Sequence, residues 1–448
     1  MAEVLRVQRW SEMGEADRRA LMERGMDDIF DVDLGRQITE LIDDVRVNGD
    51  DAVCRALATF DRVQITPERL RVSDDEFAAA RNQVPGTLVD ALSDAITHLR
   101  AFSREVLARH GRWRFESEPG LMVGEQVSAI SSAGLFCPSG KASYPSVLAQ
   151  LGTPAVEAGV PTIAVVVPPV PGGDGEVDPA VLVVADLLGL RNVFRVNGPA
   201  GVAALSFGTA SIPKVVKIVG PGSPPVVRAQ VEAQRHGTAT MMLLGPTESL
   251  VLADSSADPV RLAADLLVEA EHGTDTTVVL VTDSSSLIEQ TDAELVRQIV
   301  SLRPARREAA LAALGTNGGA VLVDSIDTAV AVANEFAPEH LQLVVHHDVE
   351  EQLLSRLVNA GEILIGQHTS FSSANFIIGC PASLPTSGFA HVSSGITVDA
   401  FLKRTAIARA DERAMRRMAP SVIALADHEG FPAHGNAARV RLGLDLAQ

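Results

Sequence analysis

Apolar positions along this chain follow two periods in turn. From about 34 to 110 they fall three to four residues apart, as in Ile38, Leu41, Ile42 and Val45 and again from Val89 to Phe102. That spacing predicts a helical layer with one buried face. Within it, RVSDDEFAAA places a capping residue, Ser73, ahead of an acidic first turn. The preceding residues, 1–35, hold only short amphipathic pieces with Trp10 and many charges, a helical arm expected to pack on another surface. From 127 the pattern turns β-like. Residues 162–167 form an unbroken β-branched run closed by Pro168-Pro169, as in a strand covered on both faces. Residues 193–196 and 215–219 repeat a strand followed by glycine, with a helix predicted at 202–207 and a polar, glycine-rich loop at 171–178. A second block alternates strands at 250–253, 278–282, 321–323, 341–345 and 363–365 with helices at 258–272, 287–303 and 326–336. The tail from about 396 reads as helical.

Two such blocks predict an α/β fold of two Rossmann-like, open, mostly parallel sheets with helices on both sides. A chain of 448 residues is too long for one simple core. The expected parts are an arm at 1–35, a first α/β domain from 36–135 with 247–395, a second from 136–246, and a tail from 396. Only 4% of residues are aromatic, so the core must be built from Val, Leu, Ile and Ala. A net charge of −19 argues against a nucleic-acid surface or an anionic membrane, while leaving room for a local basic pocket. Cys54, Cys137 and Cys380 are far apart with no CxxC spacing, which indicates neither a disulfide framework nor a thiolate zinc site. No stretch has the form of a signal peptide or a membrane span, so the cytoplasm is the expected compartment.

Candidate chemistry sits at a few points. The helix at 258–272 has Asp258 as N-cap, Pro259 in its first turn and Gly273 as its stop. Glu269 and His272, three residues apart, project from one side of its last turn and could share a divalent metal. Taken alone, the same spacing is common on solvated helix ends. Pro338-Glu339-His340-Leu341, between a helix and a strand, pairs a carboxylate with an imidazole that titrates near neutrality, a combination suited to acid–base work. Three glycine turns follow strands, at Pro138-Ser139-Gly140, Asn197-Gly198-Pro199 and Gly220-Pro221-Gly222-Ser223, where phosphates approach backbone N–H groups in open sheets. None of them matches GxGxxG or a P-loop. Glu429 and His434 in the tail are weaker candidates.

Taken together, GLFCPSGKASYPS, ALSFGTASIPKVVKIVGPGS, GPTESLVLAD, EAEHG, APEHL, LPTSGFAHVSSGITVDAFLKR and EGFPAHGNAARVRL, in this order, resemble the histidinol dehydrogenase family from about residue 35 to 442. The resemblance implies a zinc- and NAD-dependent homodimer with its active site shared between subunits. Such an enzyme oxidises an amino alcohol through the aldehyde to the acid. The family's zinc ligands Gln, His, Asp and His fall on Glu269, His272, Asn375 and His434, so carboxylate and amide have exchanged places and His434 would come from the partner's tail. The catalytic pair falls on Glu339 and His340. Of the substrate contacts, Thr247 and Glu429 match, whereas Ala382 stands where the family has histidine. Around the dinucleotide, Phe136, Ala200 and Ser223 replace Tyr, Gln and Asn. The stretch Met241-Met242-Leu243-Leu244 replaces an acidic, proline-containing one. These departures leave three readings open: oxidation of histidinol or of another small polar alcohol such as a sulfopropanediol, metal-assisted hydrolysis, and a non-catalytic scaffold.

Overall fold

The computed structural model describes residues 3–24, 31–138, 143–170, 173–241 and 245–446. Ser139-Gly140, Pro171 and Met242-Leu243-Leu244, all singled out in the sequence, lie outside the described residues. The chain divides into two compact units, 1–104 with 131–401, and 105–130 with 402–448.

The first unit carries two sheets. One has six strands in the spatial order Val7–Arg9, Gly319–Leu322, Thr277–Thr282, Glu248–Ala253, His340–Val344, Glu362–Ile365, all paired in parallel. Successive side chains point to opposite faces. Val251 and Leu280 therefore join a core with Leu262 and Leu266 of the helix Pro259–Ala270, while Leu250, Leu252, Val279 and Val281 join another with Phe336 on the far side. Burial on both faces explains why these strands read as apolar runs rather than as alternation. The expectation of a helical arm is corrected at Val7–Arg9, which forms an edge strand against Gly319–Leu322, and the arm's Met13 and Leu21 join the Phe336 core.

The other sheet has five parallel strands in the order Val193–Arg195, Thr162–Val167, Ser132–Phe136, Lys217–Val219, Ala239–Thr240. Its core includes Ile38, Ile42, Val45 and Val53 from the helix Val32–Ala56. This corrects the expected partition, which grouped 36–135 with the other sheet. A helix's apolar stripe shows that it is covered but not by which sheet. The predicted cap is present: Ser73 and Glu76 form a reciprocal capping box at the start of Asp74–Gln83.

The second unit was not foreseen as a sheet. Trp113–Glu118, Leu121–Ala129 and Leu402–Ala410 form an antiparallel sheet with Leu121–Ala129 central, followed by the helices Glu412–Glu429 and Pro432–Arg441. The expectation of a wholly helical tail is thus corrected at Leu402–Ala410. That segment, LKRTAIARA, is rich in helix-forming residues and leaves most side chains exposed. Backbone pairing with a strand nearly 280 residues earlier decides its state, and no local pattern reports that.

Candidate active site

A cleft of about 990 Å³ opens in the first unit. One wall follows the carboxyl ends of the five-stranded sheet, with Pro138 after Ser132–Phe136 and Pro221, Gly222 and Ser223 after Lys217–Val219. The other wall follows the amino ends of the six-stranded sheet, where Thr247 precedes Glu248–Ala253 and His340 opens His340–Val344. Glu269, His272, Glu339, Asn375 and Ala382 line the same space. The rule that ligands gather at carboxyl ends therefore holds for one sheet only. The acid–base and metal candidates occupy the amino edge of the other.

The helix Pro259–Ala270 runs back along its sheet, capped by Asp258 as predicted, and delivers Glu269 to that edge. Glu269 is fully buried. Its Oε1 accepts a hydrogen bond of 2.8 Å from Asn375 Nδ2. His272 Nδ1 stands 3.1 Å from the Glu269 main-chain oxygen, which takes its hydrogen bond, and 3.1 Å from Oε2. Oε2 itself has no hydrogen-bond partner. Burial pushes the Glu269 carboxyl up, but His340 together with His272 and Asn375 outweighs it and holds the group down at about 2. An ionised, fully buried carboxylate with an oxygen that takes no hydrogen bond, beside an imidazole and an amide, is a donor set suited to a divalent cation. Among the described residues, the His, Cys, Asp and Glu side chains that bring three ligand atoms within 4.8 Å of one another are His346, His347 and Asp348. They are exposed at the start of the helix His347–Leu354, where the helix dipole opposes a cation.

Glu339 and His340 follow the helix Ile326–Phe336, which ends on Ala337 in the left-handed region at φ 48°. Both residues are buried, at 8% and 3% exposure. Glu339 Oε2 accepts from the Glu248 backbone N–H at 3.1 Å, so its carboxylate closes the start of the neighbouring strand. His340 Nε2 lies 3.7 Å from Glu339 Oε1, and its Nδ1 lies 2.5 Å from Glu362 Oε1. Burial raises Glu339 to about 8; His340 opposes the rise, while Glu269 and Glu248 add to it. Burial lowers His340, yet Glu269, Glu339 and Glu362 together carry it up to about 10.

The other candidates divide. Thr247, Ser223 and Ala382 line the cleft. Ser223 is the N-cap of Pro224–Gln234 and its side chain makes no capping bond. Phe136 and Ala200 are packed in the apolar core of the five-stranded sheet and are not among the cleft-lining residues. Their cofactor assignment is corrected to a packing role, since apolar side chains there gain more from burial than from a wet cleft. Asn197-Gly198-Pro199 likewise caps a helix, its Asn197 side chain bonding the Gly198 N–H and Asp61. Glu429 ends Glu412–Glu429 and His434 is exposed on Pro432–Arg441, both in the second unit. Sequence reasoning missed Arg24, Glu248 and Glu362. Arg24 binds the Glu248 carboxylate at 2.6 and 2.8 Å and stacks 3.5 Å from the Phe336 ring centroid. A charged residue opening an apolar strand was the available signal for Glu248 and Glu362.

The sequence profile of histidinol dehydrogenase matches residues 26–442. A protein named histidinol dehydrogenase from Synechocystis sp. is 38% identical over 406 residues, 90% of this chain and 92% of that one. A histidinol dehydrogenase homolog from Colwellia psychrerythraea is 35% identical over 444 residues, 98% of this chain and 96% of its own. The crystal structure of histidinol dehydrogenase from Elizabethkingia anophelis superposes with a TM-score of 0.92 at 30% identity, covering 99% of both chains. This chain belongs to the histidinol dehydrogenase family.

Proposed function

We propose that the protein is a zinc-dependent, NAD-linked dehydrogenase that oxidises a small polar alcohol through its aldehyde to the acid. The observation that carries this reading is the buried Glu339–His340 pair in one cleft with Glu269, whose buried Oε2 takes no hydrogen bond and faces the His272 ring at 3.1 Å. Glu269, His272 and Asn375 would hold the metal, with His434 from a second copy of the chain. Ser223, whose side chain makes no capping bond, and the turn Pro221-Gly222 before it would face the dinucleotide. When bound, zinc supplies a Lewis acid for the substrate and NAD the hydride acceptor.

His340 takes the hydroxyl proton at Nε2 while the carbinol hydrogen leaves as hydride. Its high proton affinity owes most to Glu269, so neutralising that carboxylate with a cation returns His340 toward the range a base needs. The same neutralisation lowers Glu339, which then accepts a proton from the water that attacks the aldehyde. A second hydride leaves from the hydrate. One alcohol, two NAD and one water give one carboxylic acid, two NADH and two protons.

L-Histidinol is the first substrate class to test. Ala382, where the resemblance implies a histidine, favours a second class: non-imidazole polar alcohols, including sulfonated ones. Purified zinc-loaded protein is assayed with L-histidinol, a sulfopropanediol and plain polyols by absorbance of reduced nicotinamide. Turnover with two NADH per alcohol is expected on one of them. His340→Ala should lower kcat about 100-fold or more with zinc content unchanged. No nicotinamide reduction across the panel by zinc-replete protein would exclude the reading for these classes, and unchanged turnover in His340→Ala would remove His340 from the chemistry.

A further inference from the structure

Glu362 does not line the cleft, yet it makes the shortest polar contact to the residue proposed as base. His340 and Glu362 are register partners, the first residues of two adjacent parallel strands, so their side chains emerge side by side on one face. Glu362 Oε1 stands 2.5 Å from His340 Nδ1, and the two side chains are 6% and 4% exposed. The Glu362 backbone N–H donates to the Glu339 carbonyl at 3.1 Å, so one residue touches both members of the pair. Across the imidazole, the Phe371 ring meets its edge at 5.9 Å between centroids.

We propose that Glu362 is a positioning residue for His340, a buried carboxylate that orients the imidazole and fixes the proton on Nδ1 so that Nε2 faces the cleft as acceptor. With Nδ1 donating to the Glu362 carboxyl, a neutral imidazole carries its lone pair on Nε2. The 3.7 Å from Nε2 to Glu339 is too long for a hydrogen bond and leaves that lone pair free for a substrate hydroxyl. Partners that fix an imidazole's tautomer from behind commonly matter roughly 10- to 100-fold in activity. The opposite reading is that Glu362 merely fills the sheet edge. Against it stands Oε2, buried with no hydrogen-bond partner. A filler would be better as an apolar residue, which leaves no acceptor unsatisfied.

This inference rests on His340 being the base, and the test separates the two. Wild type, His340→Ala, Glu362→Ala and Glu362→Gln are compared with L-histidinol and NAD. Glu362→Ala should lower kcat by roughly 10- to 100-fold with KM within about threefold and zinc content unchanged. Glu362→Gln, whose amide oxygen still accepts from Nδ1, should lose less. A far-downfield imidazole N–H resonance, assigned to His340 by its loss in His340→Ala and read without substrate, should vanish in Glu362→Ala. Glu362→Ala holding kcat within about twofold while His340→Ala collapses overturns the inference and spares the function. If His340→Ala keeps its turnover, it is the proposed base that fails, and if L-histidinol is not turned over the resonance decides alone. Its absence from wild type overturns the positioning role. Should Glu362→Ala not fold, a Glu362→Gln protein with wild-type kcat and an unmoved resonance does the same.

Discussion

Asp265 lies one helical turn before Glu269 and is 6% exposed. Gln342 donates to its Oδ2 at 2.8 Å. Burial raises its carboxyl to about 6, Gln342 opposes the rise and Glu269 adds to it. Because the folded group binds its proton more tightly than the unfolded one, stability falls as pH rises from about 4 to about 6, and the penalty stays in force above that. In chelator-treated protein, Asp265→Asn should flatten that slope and raise stability at pH 7 by roughly 1–3 kcal/mol. Urea midpoints at pH 4.5 and 7 check it; parallel curves for the two proteins would show that Asp265 carries no such strain. At this scale the sequence was partly legible. Glu269 with His272, and Glu339 with His340, stand out as local pairs, and the structure sets all four in one cleft. Glu362 was not legible, because its partner is 22 residues away and only strand register joins them.

At the scale of elements, the Arg24–Glu248 pair ties the N-terminal arm to the strand Glu248–Ala253. Both side chains are nearly inaccessible, 8% and 2%, at 2.6 Å. Burial outweighs even this partner, leaving Glu248 raised above the usual carboxylate range. Arg24→Ala would strand that carboxylate and should cost about 3–5 kcal/mol, whereas Arg24→Met with Glu248→Gln should cost less than the single change. Chemical denaturation of the three proteins tests this, and a silent Arg24→Ala would mean that the arm is held by its apolar contacts alone. The strands at 162–167 and 277–282 and the helix at 326–336 were legible because burial on both faces or on one stripe leaves a period in the sequence. Leu402–Ala410 was not, because its side chains are exposed and its partner strand is remote.

For the whole molecule, the proposed metal set draws on both units, with His272 in one and His434 in the other. If His434 reaches the cleft of a second copy, defects in the two histidines complement each other. In a mixed dimer of His272→Ala and His434→Ala chains, one of the two sites contains both histidines. Random mixing makes half the dimers mixed, so about a quarter of wild-type activity and zinc should return, while each variant alone stays inactive. Recovery on mixing is read after co-refolding; none at all would place both histidines of a site in one chain. No described helix is long and apolar enough to cross a membrane.

The alternation of strands and helices in the two large sheets, their parallel character and the short-range pairs Glu269–His272 and Glu339–His340 were determined by the sequence itself, through periodicity, caps and neighbouring residues. Tertiary structure alone decided that the helix Val32–Ala56 covers the five-stranded sheet, that Phe136 and Ala200 are core, that the acid–base edge is an amino edge, and that Glu362 backs His340. The physical reason is range. Hydrogen-bonded turns and buried faces recur within a few residues and mark the chain directly, whereas register and packing join residues whose separation along the chain carries no trace of their meeting.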